Sequence, residues 1–231
     1  MRVTLQPLVG DSDEVPLDGG EGALWRRRLR WACADAPLDL VVLAAEPIDL
    51  PVFEASEPVP GALARCARAV VGTHAILLLA NPATALGADR IALAEGVRLF
   101  ALTTPADVVC WDAALALTMP VYGVAGTCVC ELVRPRPANA ISALAYGGFL
   151  ACEGLVPTSL LEDRTGVRWE LPASAAPAEA DVIVRGGFSA AQTQGLTGSW
   201  TDQGNEGSVR VQFSGADGRC WTQPRFIMPR R

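Results

Sequence analysis

The sequence contains no lysine, and all nineteen of its basic residues are arginine. It holds one histidine, His74, so no site that needs several imidazoles can be assembled. A Ser-His-Asp or Cys-His arrangement would have to use that same residue, and no nucleophile elbow accompanies it. No Gly-rich phosphate loop of either common kind follows a strand. No stretch of eighteen or more uncharged apolar residues occurs, so no membrane-spanning helix is expected. Acidic residues outnumber basic ones 25 to 19, giving a net charge of −6. The chain therefore lacks the basic field that non-specific nucleic-acid binding requires, and no nucleic-acid partner is expected. The opening "MRVTLQPLVGDSDE" meets Asp and Glu too early for a signal peptide, and a cytoplasmic location is expected. Seven cysteines scattered over 231 residues do not form the dense even framework of a small secreted domain, and most are expected to be reduced and buried.

What is present is half apolar and only 19% charged, a composition that folds. Short aliphatic runs at 38–45, 75–80, 96–103 and 121–126 are separated by Ala-rich stretches. Nearly continuous apolar strands alternating with helices predict an α/β fold with a parallel sheet buried on both faces. Residues 21–36 are expected to be helical, with Trp25, Leu29, Ala32 and Cys33 on one face and Arg26, Arg27 and Arg30 facing outward. After residue 155 apolar and polar residues alternate, and Ala-Asp-Gly between two such runs predicts a hairpin within 208–227. The stretch 172–180 reads as a solvated loop. Two domains are expected, at 1–155 and 156–231.

Several motifs resemble those of the PHP (polymerase and histidinol phosphatase) superfamily, in particular PHP-type metal-dependent phosphoesterases with a C-terminal β appendage. "VCWDAALA" (109–116) is similar to the family's Trp-Asp-x-x-Leu helix. "AISALAYGGFLACEG" (140–154) and the tail "RVQFSGADGRCWTQPRFI" are similar to two further segments. The resemblance implies a distorted parallel β/α barrel with that appendage. It also places Gln6 and Leu8 where the family has its first His-x-His, with Ser12, Asp13 and Glu14 at the Ser-Asp-Gly that follows. Ala45 and Glu46 stand at an Asp-His pair, Asn81 at the His before Pro82, and Cys128 and Cys130 at the final Asp-x-His. The matched strand 96–103 carries no carboxylate near its end.

The scaffold motifs are kept and the metal ligands are not. Phosphoester hydrolysis by this route needs two or three divalent ions held by imidazole and carboxylate. Leucine cannot coordinate a metal, and amides are weak neutral ligands. Two readings of Cys128 and Cys130 stand side by side: a rebuilt thiolate metal site drawing on Glu46 or Asp13, or two small residues filling space. The implied function is that of a catalytically inactive protein, without cofactor or metal, acting as an accessory or structural subunit of a protein assembly. The alternatives are a small-molecule binding module using the emptied barrel mouth and, third, a phosphoesterase with a rebuilt site. Arg26, Arg27, Arg28 and Arg30, with Arg230 and Arg231, read first as a solvated face and alternatively as a surface for an acidic partner; with Trp200 and Trp221 of the C-terminal β region they are the candidate partner surface. Peripheral association of the arginines with an anionic surface is a further expectation. His74 precedes the strand at 75–80, opposite the end where a barrel carries its site, and is expected to be structural.

Overall fold

The computed structural model describes residues 2–4, 14–16, 23–52, 56–133 and 137–227. Three sheets carry the architecture. The first has six strands in chain order, β2 (Glu14–Pro16), β3 (Ala23–Ala32), β4 (Pro37–Ala44), β5 (Ile76–Leu79), β6 (Val97–Ala101) and β7 (Tyr122–Val124). The second contains β1 (Arg2–Thr4), β8 (Thr127–Val129), β9 (Leu150–Glu153), β12 (Glu179–Val184), β13 (Phe188–Gln194), β15 (Ser208–Gly215), β16 (Gly218–Trp221) and β17 (Arg225–Phe226). Its order is β1-β8-β9-β16-β15-β12-β13, with β17 beside β15, and it takes strands from both sides of residue 155. The third is the small sheet β10 (Ser159–Asp163), β11 (Gly166–Glu170) and β14 (Thr197–Thr201). Among the described residues the α-helices are α1 (Val59–Val70), α2 (Pro82–Ala85), α3 (Pro105–Ala116) and α4 (Ala140–Tyr146).

The expected parallel barrel is not formed. Only β5–β6 and β6–β7 pair in parallel among the described strands, and the sheet they belong to remains open. The route between β4 and β5 explains the difference. The expectation assumed that a strand, a helix and a strand return the chain parallel, as one crossover does. Here the chain first runs back along β4 before the helix begins: Ala34 N–H donates to the Glu57 carbonyl, at the end where β4 starts. Val59 N–H donates to the Asp35 carboxylate at 2.8 Å, fixing the start of α1 there. α1 then climbs to the far end, and β5 descends with Ile76 opposite Leu43 and Leu79 opposite Leu40. The extra return segment inverts the direction of β5. With no closed barrel there is no barrel mouth.

Residues 21–36 are also not a helix. The stretch contains the ten-residue strand β3, paired antiparallel with β4 along its length. Trp25 and Leu29 are four apart, a spacing that serves a helix face and an alternating strand equally. On a strand, Trp25, Arg27, Leu29 and Trp31 share one face while Leu24, Arg26, Arg28 and Arg30 share the other. Arg26 is consequently 1% exposed, not outward facing.

The runs at 38–45, 75–80, 96–103 and 121–126 do form strands, and the hairpin predicted within 208–227 is β15–β16, turning at Ala216-Asp217. The 172–180 stretch includes a short helical turn, Ala173–Ala175, and the first residues of β12. Two apolar cores flank the second sheet. Cys128, Cys130, Ala151 and Trp221 belong to the core shared with the first sheet, while Val129, Leu150, Cys152 and Cys220 belong to the core shared with the small sheet. The chain crosses from the first sheet to the second at Gly126, where φ is +40° and a Cβ would lie 2.3 Å from the Cys152 carbonyl oxygen. Only glycine fits that corner.

Candidate functional site

Gln6, Leu8 and Asp13 lie outside the described residues, as do Ser12, Arg230 and Arg231. The remaining former-site positions do not gather into one site. Glu46 is exposed just beyond the C-terminal end of β4. Asn81 follows the C-terminal end of β5, and because those strands are antiparallel the two residues stand at opposite ends of the sheet. Asn81 is occupied as a structural pin: its Oδ1 accepts from Asp39 N–H, and its Nδ2 donates to the Pro37 carbonyl, both at 3.0 Å. Cys128 and Cys130 are both buried in the first core. Among the described residues no group of three or more His, Cys, Asp or Glu side chains is placed to hold a metal.

All seven cysteines are free thiols, six buried and Cys33 half-buried. Burial pushes the Cys66 thiol up to about 12 and Cys110 up to about 11. Cys128 is raised well above the ordinary thiol value, first by burial and then by its neighbours Cys130 and Cys152. Cys152 and Cys220 face each other across β9 and β16 with sulfurs 3.0 Å apart. Burial raises Cys220 first, and the Cys152 contact adds to it. A neutral, buried thiol is a poor nucleophile. Titration of the native protein with an aromatic disulfide reagent is therefore expected to modify Cys33 promptly and the other six only after denaturation. Prompt modification of Cys128 and Cys130 would show that they are open to solvent.

The motifs that resemble PHP segments act as fasteners between layers. Trp111 on α3 is buried and donates its indole N–H to the Val121 carbonyl at 3.0 Å. Asp112, its neighbour, receives Arg210 from β15. In the tail, Thr222 Oγ1 accepts from Val211 N–H at 2.9 Å. Gln223 behaves as an added strand residue: its amide accepts from Gly123 N–H at 3.0 Å and donates to the Gly123 carbonyl at 2.8 Å. That pair covers the outer edge of β7. No local pattern in the sequence links residues a hundred positions apart.

The expected partner surface is partly withdrawn from solvent. Arg26 is buried, and Trp221 is 2% exposed with its indole N–H donated to Gln212 at 3.0 Å. Trp200 is half-buried. Arg27 and Arg30 are exposed, but on opposite faces of β3.

Two other surface features remain. One is the outer edge of β13, the last strand of the second sheet. The other is a cleft of about 950 Å³ at the N-terminal ends of β5, β6 and β7, under α4, with His74 exposed on its rim. No helix among the described residues is long and apolar enough to cross a membrane. No protein-family model, curated protein or solved structure matches the chain.

Proposed function

We propose that the protein is a non-catalytic accessory subunit of a larger protein assembly, joined to its partner by main-chain pairing along β13. The observation that carries this reading is the character of that edge. An unpaired strand edge presents a row of backbone donors and acceptors, and folded proteins usually blunt such edges with short length, charge or a cover. Among the described residues β1 and β2 span three residues each, β10 carries Glu162 and Asp163, β7 is covered by Gln223, and β14, also uncharged, is shorter than β13 at five residues. β13 runs for seven residues, FSAAQTQ, with no charge and no proline, and Phe188 is 72% exposed at its start. A single bulge in its pairing with β12 is the only irregularity. Strand addition supplies affinity through the main chain and needs no charge complementarity.

The net charge of −6 supports a protein partner over nucleic acid, and the free thiols support a reducing, cytoplasmic setting. The motif order that resembles PHP phosphoesterases supports a sequence relationship to that family with the ligand positions replaced; no barrel accompanies it. The burial of Arg26 and the opposed directions of Arg27 and Arg30 leave less support for an anionic surface contact.

Gatekeeper charges test the edge. Ala190→Lys with Gln192→Lys, both exposed positions, is expected to abolish co-assembly with the native partner while leaving the unfolding midpoint nearly unchanged. A double variant that assembles as well as the parent would overturn strand addition at β13.

A further inference from the structure

We propose that the cleft at the N-terminal ends of β5, β6 and β7 binds a small organic anion with a planar, apolar body. This site is separate from β13 and does not depend on the reading given above.

The lining is apolar at Leu24, Ile76, Pro120 and Ile141, and polar at His74, Arg98, Tyr122 and Tyr146. Among the described residues no carboxylate lines it, although acidic residues outnumber basic ones in the chain. Among the described residues that line the cleft, Arg98 brings a permanent positive charge. Among the described residues Arg98 makes no hydrogen bond and no ion pair, whereas Arg28, Arg65, Arg90, Arg210 and Arg225 each meet a carboxylate. A guanidinium offers a planar fork of donors that suits carboxylate or phosphate oxygens two at a time. Held beside apolar walls, it favours a ligand whose charge sits at one end and whose body is dry.

Tyr122 gives the site a fixed wall. Its ring lies against Gly147, where a Cβ would come within 2.5 Å of the ring carbons, so the glycine is what lets the ring sit there. Burial pushes the Tyr122 hydroxyl upward, with the Arg98 charge opposing, so it remains an O–H donor at neutral pH. Tyr146, 80% exposed, also lines the cleft and offers a second aromatic ring to a flat ligand. A cleft of about 950 Å³ with apolar walls and a few convergent polar groups has the size and character of a small-molecule site. A smaller pocket of about 480 Å³ shares Arg98 and Pro120 but is lined also by Glu95, which directs an anion to the larger side.

The test uses the full chain and isothermal titration with phenyl phosphate and with benzoate, which separate a phosphate head from a carboxylate head on the same body. At least one is expected to bind saturably at one site per chain, with inorganic phosphate and benzyl alcohol each weaker, since each lacks one half of the recognition. Arg98→Gln is expected to weaken binding on the order of tenfold or more, the effect of removing a charge-assisted pair. Tyr122→Phe is expected to weaken it a few-fold, and Arg98→Lys to keep part of the affinity. Arg98 is exposed, so the unliganded variants should unfold at the parent's midpoint. Unchanged affinity in Arg98→Gln, benzyl alcohol binding as tightly as the anions, or no saturable binding of either anion up to about 10 mM would overturn the proposal.

Discussion

Replacing Arg210 with alanine is expected to cost about 3–5 kcal/mol of folding stability, the range for removing one partner of a buried ion pair. Arg210 projects from β15 with its side chain 2% exposed and meets Asp112 on α3 through Nη2 at 2.7 and 2.9 Å and Nε at 3.0 Å. Its guanidinium also lies 4.7 Å from the centre of the Trp111 ring. One side chain thus joins the second sheet to the helix that packs on the first. Burial already pushes the Asp112 carboxyl above its ordinary value, with Arg210 opposing that shift. Without Arg210 the carboxyl faces desolvation alone and rises further. A carboxyl raised in the folded state contributes stability that is present below its unfolded pKa and lost as pH rises through the folded value. The deficit of Arg210→Ala should therefore be largest at neutral pH and shrink as pH falls, which chemical denaturation at several pH values reads directly. Replacing both partners with apolar residues, Arg210→Met with Asp112→Leu, should recover much of the loss, because no charge is then left buried alone. A cost below about 1 kcal/mol for Arg210→Ala would place the pair in solvent.

Trp221→Ala is expected to destabilise the fold by a similar amount, about 3–5 kcal/mol, the usual result of emptying a large buried aromatic site. Trp221 fills the space between the second sheet and the first core, and its indole N–H is satisfied by Gln212. Its loss also loosens the neighbouring Thr222 and Gln223, which anchor the tail to β15 and β7. Trp221→Phe should cost less, since most of the apolar volume is kept. Equilibrium unfolding of the two variants distinguishes packing from surface recognition. A Trp221→Ala protein as stable as the parent but unable to assemble would return this residue to the partner surface.

The same residues show how far the sequence could be read. The aliphatic runs of β4 to β7 were legible because strands covered on both faces carry no polar phase. Their relative direction was not, because it is set by where the chain stands at Glu57, back beside Ala34 at the start of β4, before α1 begins. β3 was misread because its tryptophan and leucine spacing satisfies two periods at once, and its arginines looked like a solvated helix face. The C-terminal hairpin was legible from Ala-Asp-Gly and its flanking alternation. The links that fasten the layers, Arg210 to Asp112 and Gln223 to Gly123, join residues 98 and 100 positions apart and leave no local trace. Cys128 and Cys130 sit at adjacent same-side positions as alternation requires, but the side they share is the packed core.

Backbone amide hydrogen exchange over residues 188–194, compared between the isolated protein and the native assembly, tests the central claim most directly. The outward-facing amides of β13 are expected to exchange rapidly in the isolated chain and to become protected on assembly, with little change over the Gln223-covered strand β7. Unchanged, rapid exchange across β13 in an intact assembly would contradict strand addition.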